Sequence, residues 1–236
     1  MPLYLLLGVV AIVGLAVIAY QMKEKPAPTT QPVAVTLSPS ELAAVKGISI
    51  GREDAPVTIF EFADFQCPGC GQFATFVTPL IKERLVDSGQ VRYVYYDFPL
   101  SMHPYSFLAS RAARCANEQG KFWEYHDKLY HNQSRWAAER TAGGATDQFI
   151  AYAGELGLDR GRFEECLRSD RYAEDISRSL KLGETLGVQG TPTLFVNGER
   201  LSEIPSFSQL ETIVQQKAGS AAPAAAAAPA ADSAAR

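Results

Sequence analysis

The chain has 236 residues, 47% of them apolar, and carries 22 basic against 26 acidic side chains for a formal charge of −4. That suits one globular domain with attachments and excludes an extended basic face for nucleic acid. Four cysteines are too few for a disulfide scaffold, and His103, His126 and His131 do not repeat at metal-ligand spacing, so neither a metal nor a cofactor is expected.

Leu3 to Tyr20 is an uncharged apolar stretch. As a helix it would span ~27 Å, close to the hydrocarbon thickness of a bilayer. No Lys or Arg precedes it, and it is long for a cleaved signal, so residues 1–22 read as an uncleaved transmembrane anchor, with a secretory signal as the alternative. Lys23 and Lys25 after the span favour a cytoplasmic C-terminal part by the positive-inside rule. The cysteine chemistry below favours the opposite side, and it decides the expectation: a single-pass membrane protein whose catalytic domain is extracytoplasmic, or secreted if the signal is cleaved. Residues 23–46, with Pro26, Pro28, Pro32 and Pro39, form a linker, and 218–236 form an Ala/Pro-rich tail with no core to fold against.

Residues 47–217 read as the folded domain. Val57 to Ala63 is a buried strand, apolar apart from Glu61. Pro68 suits the first turn of a helix that runs to about Val86, kinked at Pro79. Val91 to Tyr96 alternates β-branched and aromatic residues as a second strand. A helical block over about 104–186 follows, with Gly143-Gly144 as a loop and Asp159 as a helix cap. Thr193 to Val196 is a strand, and Asn197-Gly198 turns it back through Arg200-Leu201. Ser206 and Gln209 make a capping box for a closing helix. The order strand, helix, strand, helical block, hairpin, helix predicts a thioredoxin-like α/β fold. Its central sheet is mixed and interrupted by an all-helical insert.

Cys67-Pro68-Gly69-Cys70 follows the first strand directly. A thiolate is the nucleophile in disulfide exchange, and a helix N-terminus favours an anion there. Cys67 is therefore expected to be the exposed nucleophile, and Cys70, one turn inward, the resolving thiol. Zinc needs more ligands than this pair offers. Thr191-Pro192, at the mouth of a later strand, is expected to be cis and to bind extended substrate beside Cys67. Glu61 is expected to be buried with a raised pKa, accepting the Cys70 proton; Asp64 is placed at the strand end near solvent. Cys115 and Cys166 can form a structural disulfide enclosing roughly 50 residues, or remain free thiols. His103, Trp123, Tyr125 and His126 read as packing or surface positions.

These residues resemble a known family. Phe62 to Cys70 is similar to the active-site strand and helix of DsbA-like thiol–disulfide oxidoreductases. Lys121 to Leu129 resembles the insert helix of their membrane-anchored bacterial branch, and Gly187 to Thr193 resembles their cis-proline loop. The resemblance covers about Pro56 to Gln216. It implies dithiol oxidation of reduced or misoxidised exported proteins, and reoxidation by a quinone-linked membrane partner of the DsbB or vitamin K epoxide reductase type. It also carries the buried acid to Glu61 and the cis-proline pair to Thr191-Pro192. The Pro68-Gly69 dipeptide departs from the best-known oxidases, and a threonine before the proline is common in isomerase relatives. A reductase or isomerase therefore stands as the alternative within enzymes, and a membrane-tethered chaperone or binding module as the alternative outside them.

Overall fold

The computed structural model of the chain describes residues 45–220. The expected anchor, nearly all of the linker, and the tail from 221 lie outside the described residues. Among the described residues, no helix is long and apolar enough to cross a membrane.

Strand β1 (Ile48–Ile50) opens the domain, followed by β2 (Val57–Ala63) and helix α1 (Pro68–Phe76). A short turn α2 (Thr78–Leu80) and a π-helical segment (Ile81–Val86) lead to β3 (Val91–Asp97). Six helices follow: α3 (Ser106–Asn117), α4 (Phe122–His131), α5 (Gln133–Trp136), α6 (Ala142–Glu155), α7 (Arg160–Arg168) and α8 (Ala173–Thr185). Hairpin β4 (Thr193–Val196) and β5 (Glu199–Arg200) completes the sheet, and α9 (Phe207–Ser220) closes the domain.

The sheet order is β1-β3-β2-β4-β5. β2 and β3 run parallel, while β1, β4 and β5 join antiparallel, so the sheet is mixed. β2 is central, and its alternation supplies both faces of the sheet. Val57 and Ile59 pack with Phe73, Leu85, Leu210 and Val214 from α1, the π segment and α9. Phe62 packs on the other face with Tyr96, Phe98, Leu182 and Phe195. Each such aromatic or aliphatic side chain, taken fully from water, contributes ~1.5–3 kcal/mol.

Three local features follow from residue chemistry. Pro79 has no N–H, so α1 ends at Phe76 and the chain re-forms as α2 and the π segment, rather than one kinked helix to Val86. Asn197 and Gly198 both take positive φ, 48° and 83°, the geometry a two-residue hairpin turn requires. Ser206 and Gln209 exchange hydrogen bonds at the start of α9, with Gln209 Oε1 accepting from the Ser206 N–H at 2.8 Å. The expected Gly143-Gly144 loop is instead the first turn of α6, because Thr141 caps it by accepting from the Gly144 N–H. β1 carried no clear periodic signal in the sequence; it is only 3 residues long.

The insert, α3 to α8, forms its own core around Tyr125, Trp136, Phe149 and Phe163, continuous with Phe65, Cys67 and Cys70. Cys115 on α3 and Cys166 on α7 are joined by a disulfide. Arg114 on α3 donates to Asp97 at the end of β3, 2.6 Å away, with both side chains buried. Removing either partner of such a pair leaves a buried charge uncompensated.

Candidate active site

The C-terminal end of β2 delivers the chain to the dithiol. The Cys67 N–H donates to the Asp64 carbonyl, and the Cys67 carbonyl accepts from the Gly71 N–H at 3.0 Å. Cys67 is thus the N-cap of α1, in extended conformation, with Pro68 filling the first helical position where no N–H is needed. Its sulfur faces the unpaired N–H groups of the first turn.

The peptide bond Thr191–Pro192 is cis. It brings the Thr191 carbonyl to the Cys67 thiol, which donates to it at 3.3 Å across 124 residues of sequence. This covers the nucleophile: Cys67 is 9% exposed rather than an open thiol, and Cys70 is fully buried. The Thr191 hydroxyl is buried beside them, makes no hydrogen bond to a neutral group, and is free to donate to the Cys67 sulfur once that ionises. In the thiol form, Cys67 donates to the Thr191 carbonyl. Once the sulfur ionises, the donors around it take over.

The two sulfurs are driven apart in acidity. The Cys70 thiol, donating to the Cys67 sulfur, is the largest influence lowering the Cys67 pKa to about 5, and burial opposes it. The Thr191 hydroxyl and the N–H groups of Cys70 and Gly69 act in the same direction as Cys70. Burial raises Cys70 well above the usual thiol range, and the adjacent Cys67 adds to that rise. One thiol is an anion at neutral pH and its neighbour keeps its proton, the division that a nucleophile and a resolving thiol need.

Glu61 lies on β2 and is buried, as expected, and burial raises its pKa to about 7. The Tyr93 hydroxyl donates to it, and Lys82 in the π segment counters the rise. Asp64, in contrast, is not near solvent but fully buried. The loop after β3 folds over it, and its carboxylate accepts from the N–H groups of Gln66 and Leu100 and faces the His103 ring. His103 is therefore more than a surface position. His126 is fully buried among the rings of Phe65, Tyr95 and Tyr130, a packing role.

A groove of about 250 Å³ runs beside Thr191 and Pro192, bounded by Leu201 and Ile204. Cys115 and Cys166 are bonded to each other and supply no thiol to this constellation. Tyr93 and Gln133, which touches the dithiol turn from the insert, carried no signal of a role in the sequence. Only the folded chain brings them to positions 61 and 67.

Residues 43–216 match the thioredoxin family. The probable disulfide bond formation protein D of Bacillus cereus is 30% identical over 177 residues, covering 72% of this chain and 77% of that one. The chain belongs to the DsbA-like thiol–disulfide oxidoreductases. Disulfide bond formation protein D of Bacillus subtilis is 25% identical over 181 residues, covering 74% and 78%. The Na(+)/H(+) antiporter NhaA 3 of Salinispora tropica is 44% identical over 151 residues, which is 64% of this oxidoreductase but 21% of the antiporter. The chain thus spans about a fifth of that relative's length. Among solved structures, oxidised BdbD from Bacillus subtilis superposes with a TM-score of 0.68 at 22% identity, over 80% of this chain and 100% of that one. Wolbachia pipientis alpha-DsbA1 gives 0.67 at 20% identity, over 77% and 97%. At those identities the likeness is one of fold: a DsbA-like thioredoxin domain with a mixed sheet and a helical insert.

Proposed function

We propose that the Cys67–Cys70 pair introduces disulfides into exported proteins outside the cytoplasm. In the oxidised enzyme a substrate thiolate attacks the Cys67 sulfur and breaks the Cys67–Cys70 bond. Cys70 leaves and takes a proton from Glu61, giving a mixed disulfide between substrate and Cys67. A second substrate thiolate attacks the substrate sulfur of that bond. The substrate disulfide forms, and Cys67 leaves as the stabilised thiolate. In the reverse sense, Glu61 as carboxylate takes the Cys70 proton and lets that sulfur displace what Cys67 has captured. The Thr191 backbone and the adjoining groove hold the extended substrate segment.

One observation carries this reading: Cys67 caps the start of α1 against the cis Thr191–Pro192 loop, its sulfur 3.3 Å from the Thr191 carbonyl, with Cys70 fully buried one turn in; the same arrangement lowers the Cys67 pKa to about 5 and raises that of Cys70. A stable thiolate favours the reduced pair, so the disulfide is a good electron acceptor. The Cys115–Cys166 disulfide favours an oxidising compartment. Anchoring by residues 1–22 and reoxidation by a quinone-linked membrane partner of the DsbB or vitamin K epoxide reductase type complete the proposal. The Bacillus relatives, named for disulfide bond formation, support its direction.

The uncharged Pro68-Gly69 dipeptide favours the second reading, a reductase or isomerase, because no imidazole lies between the sulfurs. Equilibration of the pair with glutathione decides. A potential above roughly −200 mV supports oxidation, and one near roughly −270 mV supports reduction. Cys70→Ala is expected to accumulate mixed disulfides with exported proteins. An empty trap, or a Cys67→Ala variant that keeps full activity, overturns exchange and leaves a binding module.

A further inference from the structure

Gln133 opens α5 in the insert, yet its side chain reaches the dithiol turn. Its Nε2 donates to the carbonyl of Phe65 at 2.8 Å and to that of Cys67 at 2.9 Å. Two carbonyl oxygens can be served only by the NH₂ end, so their chemistry fixes the amide orientation. The other end lies over α1. A Cβ added to Gly71 would sit 2.8 Å from Gln133 Oε1 and 3.3 Å from its Cδ. Alanine is the better helix former by ~1 kcal/mol, so glycine at a buried helical position is a concession to that amide.

The Phe65 ring is also gripped by the insert and sheet, 5.0 Å from Tyr130 and 5.2 Å from Tyr95 between centroids. The turn from Phe65 to Cys67 is thus held at its ring by packing and at two carbonyls by one side chain. The Cys67 carbonyl already accepts the Gly71 N–H, the first bond of α1. Gln133 satisfies its second lone pair, on the peptide unit that leads into the N–H groups facing the Cys67 sulfur.

We propose that Gln133 is the positioning residue through which the helical insert sets the reduction potential of the Cys67–Cys70 pair, with Gly71 as its seat. This rests on the functional reading above. The donors in the first turn stabilise the Cys67 thiolate and do nothing for the neutral disulfide. Loosening the turn therefore weakens the reduced form alone. The relevant equilibrium takes the protein disulfide and two glutathione thiols to a Cys67 thiolate, a Cys70 thiol, glutathione disulfide and one released proton.

The full chain is equilibrated in glutathione buffers as wild type, Gln133→Met, Gly71→Ala and the double variant Gly71→Ala/Gln133→Ala. Ultraviolet absorbance of the ionised sulfur and the melting midpoint are followed in parallel. Gln133→Met is expected to lower the equilibrium constant for reduction three- to tenfold, ~15–30 mV, and to move the Cys67 titration upward. Gly71→Ala is expected to act in the same direction, because it displaces the amide while leaving it in the chain. The double variant should show no further shift. If Gln133→Met fails to fold, Gly71→Ala decides. Equilibrium constants within twofold of wild type in the folded variants, whatever their melting points, overturn the proposal and reduce Gln133 to a structural contact. A wild-type pair that does not exchange with glutathione at all overturns the functional reading and this inference with it.

Discussion

The backbone N–H of Asp64 points at the Cys70 sulfur, 3.5 Å away. The carboxylate of the same residue ties down the loop that follows β3. One residue therefore meets the resolving thiol with its backbone and holds the loop after β3 with its side chain. Asp64→Ala leaves the Gln66 and Leu100 N–H groups and the His103 ring without their acceptor. A loss of ~2–4 kcal/mol is expected. It should appear as a lower denaturant midpoint at an unchanged m-value.

The pH dependence of the reduced protein follows from Cys67. Its folded pKa of about 5 lies below that of an unfolded cysteine, ~8.5. The folded state therefore holds the proton less tightly. The stabilisation is fully present above pH ~8.5 and is lost as pH falls through about 5. The disulfide form has no such group. The melting midpoint of the reduced protein relative to the oxidised one should rise across that window, with thiolate absorbance giving a midpoint near pH 5. A flat difference would contradict the assignment.

Glu61 acts in the opposite sense. Its folded pKa of about 7 exceeds an unfolded carboxyl's ~4.3, so the native state binds this proton more tightly. Its favourable contribution is complete below pH ~4.3 and declines as pH rises to about 7. Glu61→Gln is expected to be more stable than wild type at pH 8 by ~2–3 kcal/mol, with the gap closing in acid. Release of a mixed disulfide by Cys70 should slow roughly tenfold or more and lose its inflection near pH 7. Stopped-flow release measured across pH separates the two effects.

The insert disulfide bridges a sequence separation of 51. Replacing Cys115 and Cys166 by alanine should cost ~3–4 kcal/mol through loop-closure entropy. The Cys67–Cys70 potential should stay close to that of the wild type, because the bridge joins two insert helices and neither of its cysteines hydrogen-bonds the dithiol. Calorimetry and glutathione equilibration check the two halves separately.

Much of this molecule is written in short-range signals. Cys67-Pro68-Gly69-Cys70, Asn197-Gly198 and the Ser206/Gln209 box each act within a few residues, so the sequence exposes them directly. The sheet is legible for the same reason: β2 and β3 carry strand periodicity, and a helix of the right length lies between them. What escaped notice acts over distance. Asp64 looks like a solvent-facing strand end until the loop carrying Leu100 and His103 covers it. Gln133 sits 66 residues from the Cys67 carbonyl it serves, in a helix with no motif around it. Thr141 hides a cap before Gly143-Gly144, where two glycines read as a break.

The contact between Cys67 and Thr191 joins residues 124 positions apart, with the whole insert synthesised between them. The dithiol leaves the ribosome well before the loop that covers it. Until β4 pairs with β2, the Cys67 sulfur lacks the Thr191 cover that it has in the finished domain. A nascent chain therefore carries its nucleophile uncovered until the hairpin is in place.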